Sequence, residues 1–90
     1  MTVVTQDLAQ SRFTATVDGV QCVLDYQLQG TTMSIVHTGV PSQVGGRGIA
    51  AELTKTALDT ARANGWKVRP VCSYAEVYMR RHPEYNDLRA

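Results

Sequence analysis

The stretch QVGGRGIA, residues 43–50, combines residue types and spacing that suit the binding of an anion. It opens a helical pattern on glycines, although each glycine costs a helix about 1 kcal/mol relative to alanine. Helices more often begin on Ser, Thr, Asp or Asn. Glycine lets the backbone approach a ligand closely, and the N–H groups at a helix N-terminus attract phosphates. The stretch therefore predicts a phosphate-binding loop.

Two familiar phosphate motifs fit this loop poorly. The P-loop pattern G-x-x-x-x-G-K-[ST] is absent, which argues against nucleotide hydrolysis. Residues 46–51 match the dinucleotide pattern G-x-G-x-x-A, but residues 41–43 separate it from the preceding strand, and no acidic residue follows about 20 positions later. A plain tight turn is the remaining alternative, although three glycines together with Arg47 exceed what such a turn requires.

The elements that position this loop follow from the hydrophobic periodicity. Residues 13–17, 20–28 and 33–40 alternate apolar and polar side chains, with the hairpin signal Asp18-Gly19 between the first two runs. Three antiparallel strands are therefore expected. From residue 49 the apolar positions recur about every four residues, which is typical of an amphipathic helix. We expect a helix near 47–64 that ends at Gly65, a strand near 67–72, and a helix near 73–81 capped by Ser73.

This order, β-β-β-α-β-α, predicts an α/β fold in which an antiparallel meander is followed by a helix-strand-helix unit. The strands on either side of the long helix form a crossover unit and should be parallel and adjacent. Ninety residues are enough for one domain, here expected to span 1–90.

Gln43-x-x-Gly46-x-Gly48, with Ala50 behind it, resembles the Q/R-x-x-G-x-G/A signature of the GNAT N-acetyltransferase superfamily. Residues 36–88 resemble its short, single-domain subgroup, which pairs an H-T-x-V-P strand end with an R-x-H-P-E-Y C-terminus. The resemblance implies a minimal GNAT-like acyl-CoA N-acyltransferase fold and acetyl transfer from acetyl-CoA to an amine. A non-catalytic acyl-CoA-binding module that acts through a protein partner is the alternative.

The resemblance also implies the residues that would contact acetyl-CoA. The loop N–H groups would bind the pyrophosphate, and Arg47 would add a charge-assisted hydrogen bond. Gly45 stands where the superfamily often has a basic residue, so one phosphate partner is missing. The expected cofactor-binding residues are Thr38, Val40, Gln43, Val44, Gly45, Gly46, Arg47, Gly48, Ile49 and Ala50.

Three residues are candidates for catalysis. Residues 31–40 contain no Asp or Glu, so the base that many GNAT enzymes carry on this strand would be His37. Cys72 ends the next strand and is a candidate nucleophile paired with His37. Tyr78 would protonate the CoA thiolate, although it follows Ala75 by three residues and not the usual four. A packing role remains the alternative for each of them.

The basic cluster Arg80, Arg81 and His82 suits a solvated helix end, and the resemblance also allows it to contact cofactor phosphates. The net charge of +1 argues against binding to nucleic acid or a membrane surface. No signal peptide or membrane-spanning run is visible. Cys22 and Cys72 fit no metal or redox spacing, so no metal is expected, and free thiols favour a reducing compartment, here the cytoplasm.

Overall fold

The computed structural model describes residues 2–90 and shows a five-stranded sheet with two helices packed on one face. The order of the strands in the sheet follows the chain, and only the last pair is parallel. The strands are β1 (Thr5–Asp7), β2 (Arg12–Val17), β3 (Val20–Gln29), β4 (Thr32–Gly39) and β5 (Lys67–Pro70). The helices are α1 (Ile49–Asn64) and α2 (Ser73–Arg81), and 3-10 segments span Ser42–Val44 and Pro83–Leu88.

This arrangement confirms the predicted meander, the helix-strand-helix unit and the parallel pairing across α1. The prediction of three antiparallel strands was one strand short. β1 pairs with the edge of β2, where Thr5 lies opposite Thr14. Its three polar residues are too few to show an alternating pattern, so no periodic signal marks this strand.

Two predicted boundaries and one predicted cap change for local reasons. α1 begins at Ile49 and not at 47, because Gly48 adopts a left-handed φ of 75° as its cap. β5 ends at Pro70 and not at 72, because the chain turns out of the sheet after it. α2 spans the predicted residues, but Ser73 is its first helical residue and Cys72 is its N-cap.

The core lies between the sheet and α1. The predicted apolar stripe of α1 is buried, and Leu53 and Ala57 are fully inaccessible. Complete burial of one Leu or Ile side chain contributes about 1.5–3 kcal/mol relative to exposure. The sheet residues on the covered face are Phe13, Ala15, Cys22, Leu24, Tyr26, Met33, Ile35 and Val68.

The other face of the sheet carries mainly polar side chains. Thr16, Gln27 and Arg69 are exposed there. Within residues 2–90 no helix is both long and apolar enough to cross a membrane.

The C-terminal 3-10 segment contacts both α2 and α1 and so holds the two helices together. The Tyr85 hydroxyl donates a hydrogen bond to Asp59 on α1 at 2.8 Å. Arg62 donates to the carboxylate of Asp87 at 2.9 Å and to the carbonyl of Glu84 at 2.8 Å, and its guanidinium lies 5.6 Å from the centre of the Tyr85 ring. The HPEY motif therefore has a structural role.

We expect Tyr85→Phe to lower the free energy of unfolding by about 1–2 kcal/mol, because it removes a part-buried hydrogen bond to a charged acceptor. Urea denaturation followed by circular dichroism measures this change. Tyr74→Phe is the matched control, since the Tyr74 side chain is more exposed and should give a change within about 0.5 kcal/mol. Equal losses in the two variants would contradict a stabilising role for the hydrogen bond from Tyr85 to Asp59.

Candidate functional site

The glycine loop presents a run of backbone donors. The N–H groups of Val44 and Gly45 are bonded inside the turn, and regular α-helical bonding resumes when Glu52 donates to Gly48 at 3.1 Å. Within residues 2–90, no N–H group from Gly46 to Ala51 has a hydrogen-bond acceptor. Consecutive free N–H groups at a helix N-terminus make a concave anion site, which the helix dipole reinforces.

The glycines are needed for their backbone conformation. Gly46 and Gly48 have φ values of 77° and 75°, which L-residues rarely adopt. A Cβ atom at either position would meet no atom within 4 Å, and residues 45–48 are exposed, so the loop is accessible to a ligand. The loop therefore has both the donors and the clearance that a phosphate requires.

The other residues predicted to bind the cofactor are placed in different ways. The side chains of Val44 and Ile49 are in the core, so these residues can offer only their backbones. Gln43 is exposed. Arg47 bonds to Asp18 in the β2–β3 turn at 2.6 Å, and both side chains are about half exposed or more. Any contact from Arg47 to a phosphate has to compete with this ion pair.

β4 and β5 separate beside this loop. Their pairing ends where Ile35 meets Pro70, and the Ile35 carbonyl then accepts the N–H groups of both Val71 and Cys72, at 3.0 and 2.8 Å. The following β4 residues, Val36–Gly39, have no partner on β5. A gap with an unpaired strand edge therefore opens between the end of β4 and the start of α2.

Thr38 and Cys72 face each other across this gap. The Thr38 Oγ1 and Cys72 Sγ atoms are 3.6 Å apart, a hydrogen-bonding distance for sulfur. Cys72 is half-buried as the N-cap of α2, and its sulfur makes no cap hydrogen bond of ordinary length. The structure thus brings together a predicted nucleophile and a predicted cofactor contact.

The pKa of the Cys72 thiol is lowered in this setting. Burial raises the pKa, but the backbone N–H of Ala75, the Thr38 hydroxyl and the backbone N–H of Tyr74 stabilise the thiolate and outweigh it. A thiolate at a helix N-terminus is the reactive form of cysteine. Cys22, by contrast, is completely buried, as the alternating pattern predicted.

The structure does not pair His37 with Cys72. His37 follows a bulge at which Ile35 lies opposite Tyr26 but His37 lies opposite Asp25. Its side chain is exposed on the uncovered face of the sheet, whereas Thr38 points to the helix face. His37 lies near the end of β4 and Cys72 follows β5, but the two side chains are on opposite faces of β4.

Tyr78 lies farther along α2, six residues after Cys72, or about 9 Å along the axis. Its ring stacks on His82 with 4.0 Å between centroids. Burial raises the pKa of its hydroxyl. The ring of Tyr85 in the C-terminal segment lies 6.4 Å away between centroids, so Tyr78 packs toward that segment.

A groove lies between the first turn of α1 and the exposed side of α2. Its volume is about 220 Å³, and its lining residues are Ala51, Tyr74, Val77, Tyr78, Arg81 and His82. Tyr74 and Val77 were not predicted as site residues, although the spacing 74-77-78-81 places these residues on one helical face. A second cavity of about 430 Å³ lies on the other side of the loop, around Asp18 and Arg47.

The basic cluster at the end of α2 divides into three different environments. Arg80 forms a weak ion pair with Glu76 at 3.8 Å, whereas Arg81 lines the groove. His82 Nδ1 lies 2.8 Å from the Tyr78 carbonyl oxygen.

In the part of the chain that the structure describes, no group of three or more His, Cys, Asp or Glu side chains is arranged to hold a metal ion.

We expect iodoacetamide to alkylate Cys72 much faster than Cys22, with a rate that rises with pH and has its midpoint below that of an unperturbed thiol. The reason is that iodoacetamide reacts with the thiolate and not with the thiol. Thr38→Val should move the midpoint upward, because it removes a donor that stabilises the thiolate. Peptide mass spectrometry after timed quenching measures both effects. An unchanged midpoint in the valine variant would contradict the role of Thr38.

Known proteins resemble this chain in both sequence and fold. Residues 12–88 match the family of GCN5-related N-acetyl-transferases. Protein NATD1 of Homo sapiens and of Gallus gallus are each 34% identical over 83 residues, or 89% of this chain, and 74% and 76% of their own lengths. A GCN5-like protein from Staphylococcus aureus, solved by NMR, superposes with a TM-score of 0.78 at 25% identity, covering 98% of this chain and 87% of its own. The resemblance and the GNAT-like fold predicted from the sequence are confirmed, and the chain belongs to the GCN5-related N-acetyltransferase family.

Proposed function

We propose that this protein transfers the acetyl group of acetyl-CoA to an amine and binds the pyrophosphate of acetyl-CoA at residues 43–50. The observation that carries the proposal is the run of free N–H groups from Gly46 to Ala51, which lies directly beside the gap between β4 and β5. A pyrophosphate supplies anionic acceptors for these donors. Membership of the family supports acetyl transfer as the reaction.

The gap suits the arm of the ligand that carries the thioester. Val36–Gly39 have no partner on β5, so the β4 edge can hydrogen-bond an extended amide chain as a missing strand would. Thr38 and Val40 would line this arm. The thioester would then lie near Cys72, whose sulfur faces Thr38 across the gap.

In the covalent route, the Cys72 thiolate attacks the acetyl carbonyl carbon, and the bond from that carbon to the CoA sulfur breaks, so that CoA leaves as a thiolate. The amine nitrogen then attacks the acetyl-cysteine carbonyl and displaces the Cys72 thiolate. The lowered pKa of Cys72 favours the first step, because it increases the thiolate fraction near neutral pH.

His37 suits a base on the acceptor side. Its exposed imidazole lies on the uncovered face of the sheet, opposite to the face on which Thr38 meets Cys72. An amine that approaches from the uncovered face can lose its proton to His37 in either route. In a direct transfer, His37 would act as the base, and Cys72 would have no chemical role. Tyr78 fits a wall of the groove better than it fits the proton donor to the CoA sulfur.

A non-catalytic acyl-CoA-binding module is the second candidate function. The exposed apolar side chains of Val71, Tyr74 and Val77, which are 60%, 37% and 38% accessible, favour it, because they form a patch for a protein partner beside the site. This candidate requires the loop but requires neither His37 nor Cys72.

We expect acetyl-CoA to shift the amide resonances of residues 44–51, and Gly48→Ala to weaken binding at least tenfold. Alanine at a φ of 75° is strained by about 1–2 kcal/mol and would rearrange the donors. NMR titration measures both the shifts and the affinity.

Gly30→Ala is the matched control for this variant. Gly30 also has a positive φ, 61°, and open space around it, but it lies in the β3–β4 turn. The alanine should carry a similar strain and leave the affinity unchanged. Amides that stay in place at millimolar acetyl-CoA would overturn the binding proposal.

In the covalent route, incubation with acetyl-CoA alone should add about 42 Da to the intact protein, since acylation precedes the acceptor. Cys72→Ser should abolish this mass shift and most of the turnover with an amine, whereas Cys22→Ala should retain both. A Cys72→Ser protein with wild-type turnover would rule out the covalent route. His37→Gln then tests direct transfer, and a loss of activity that recovers at high pH, where the amine is already deprotonated, would support His37 as the base.

A further inference from the structure

The groove between α1 and α2 continues directly from the glycine loop. Ala51 lines the groove, and its backbone N–H is also the last of the free donors of the loop. From there the groove extends along α2 past Tyr74 and Val77 to Arg81. A ligand whose phosphates occupy the loop therefore has this groove beside it.

The groove offers an aromatic surface together with a cation. Tyr74 is partly exposed, and Tyr78 beneath it is held by its stack on His82. Arg81 lies seven residues after Tyr74 on the same face of α2, and both residues line the groove. Arg81 has no ion-pair partner among residues 2–90, in contrast to its neighbour Arg80, which pairs with Glu76.

The volume of the groove limits what it can hold. About 220 Å³ is less than the roughly 300–1,000 Å³ of a pocket for a drug-sized ligand. The groove has room for a planar base but not for a whole nucleotide, so an attached phosphate would remain at the rim. Arg81 is an exposed residue at that rim.

We propose that this groove holds the adenine of coenzyme A against Tyr74, and that Arg81 binds the 3′-phosphate of the ribose. This inference rests on the proposed binding of the pyrophosphate at the glycine loop, because the ribose follows the pyrophosphate by a single linkage. Stacking on an aromatic ring suits any base, whereas a guanidinium recognises a phosphate through two parallel hydrogen bonds. Arg81 is thus the residue that distinguishes coenzyme A from its 3′-dephospho form.

The test compares the affinities for coenzyme A and 3′-dephospho-coenzyme A at constant ionic strength, by calorimetry and by amide shifts. We expect the wild-type protein to prefer coenzyme A about tenfold or more. Arg81→Gln should bind the two ligands equally. Arg80→Gln is the matched control, since it removes the same charge one residue away, and it should keep the preference. Tyr74→Ala should lower the affinities for both ligands by the same factor.

The outcomes separate this inference from the proposed function. If both ligands shift residues 44–51 with equal affinity in the wild-type protein, the 3′-phosphate assignment is wrong and the loop assignment stands. If neither ligand shifts them, the loop assignment itself fails. A preference that persists in Arg81→Gln, or disappears in Arg80→Gln, would also overturn the role of Arg81.

Discussion

The candidate site depends on the point at which β4 and β5 separate. The Ile35 carbonyl accepts the N–H groups of both Val71 and Cys72, so one acceptor ends the parallel ladder and turns the chain into α2. β4 continues for four more residues, paired only with β3. If β5 had followed β4 to Gly39, its N–H and carbonyl groups would fill the gap, and Cys72 would lie within a strand. The unpaired edge and the position of the thiol thus have a single structural cause.

Parallel pairing also directs two helix N-termini to the same edge of the sheet. α1 follows β4 and α2 follows β5, so both helices begin where their strands end. Neither begins with a side-chain cap hydrogen bond, since the caps are Gly48 and Cys72. The donors that Ser or Asp would satisfy therefore remain available. At α1 they face open space, and at α2 they stabilise a thiolate, so both ends favour negative charge.

The sequence predicted the features that depend on local pattern. The period of four identified α1, and the strand-helix-strand order identified the parallel pair. The sequence could not predict which face of the sheet carries His37. The extra residue at Val36 interrupts the alternation, and it is visible only in the register of β4 with β3. The ion pair between Arg47 and Asp18 joins residues 29 positions apart, and the groove depends on how α2 packs on α1. No periodicity encodes either of these.

The hydrogen bonds and ion pair between the C-terminal 3-10 segment and α1 determine whether pH changes the groove. Burial raises the pKa of Asp59, but hydrogen bonds from Lys55 and Tyr85 outweigh it, and the hydrogen bond from Arg62 lowers the pKa of Asp87. Both folded-state values lie below those of the unfolded chain, so the stability that these carboxylates contribute is fully present above about pH 4 and is lost only as the pH falls further.

The contacts that fix α2 against α1 therefore stay the same across the neutral range. Cys72 is different, because the N–H groups at the start of α2 and the Thr38 hydroxyl outweigh its burial and lower the pKa of its thiol. A rise in acetyl transfer with pH in the covalent route would consequently report ionisation of the Cys72 thiol, and the carboxylates of Asp59 and Asp87 would not contribute to it.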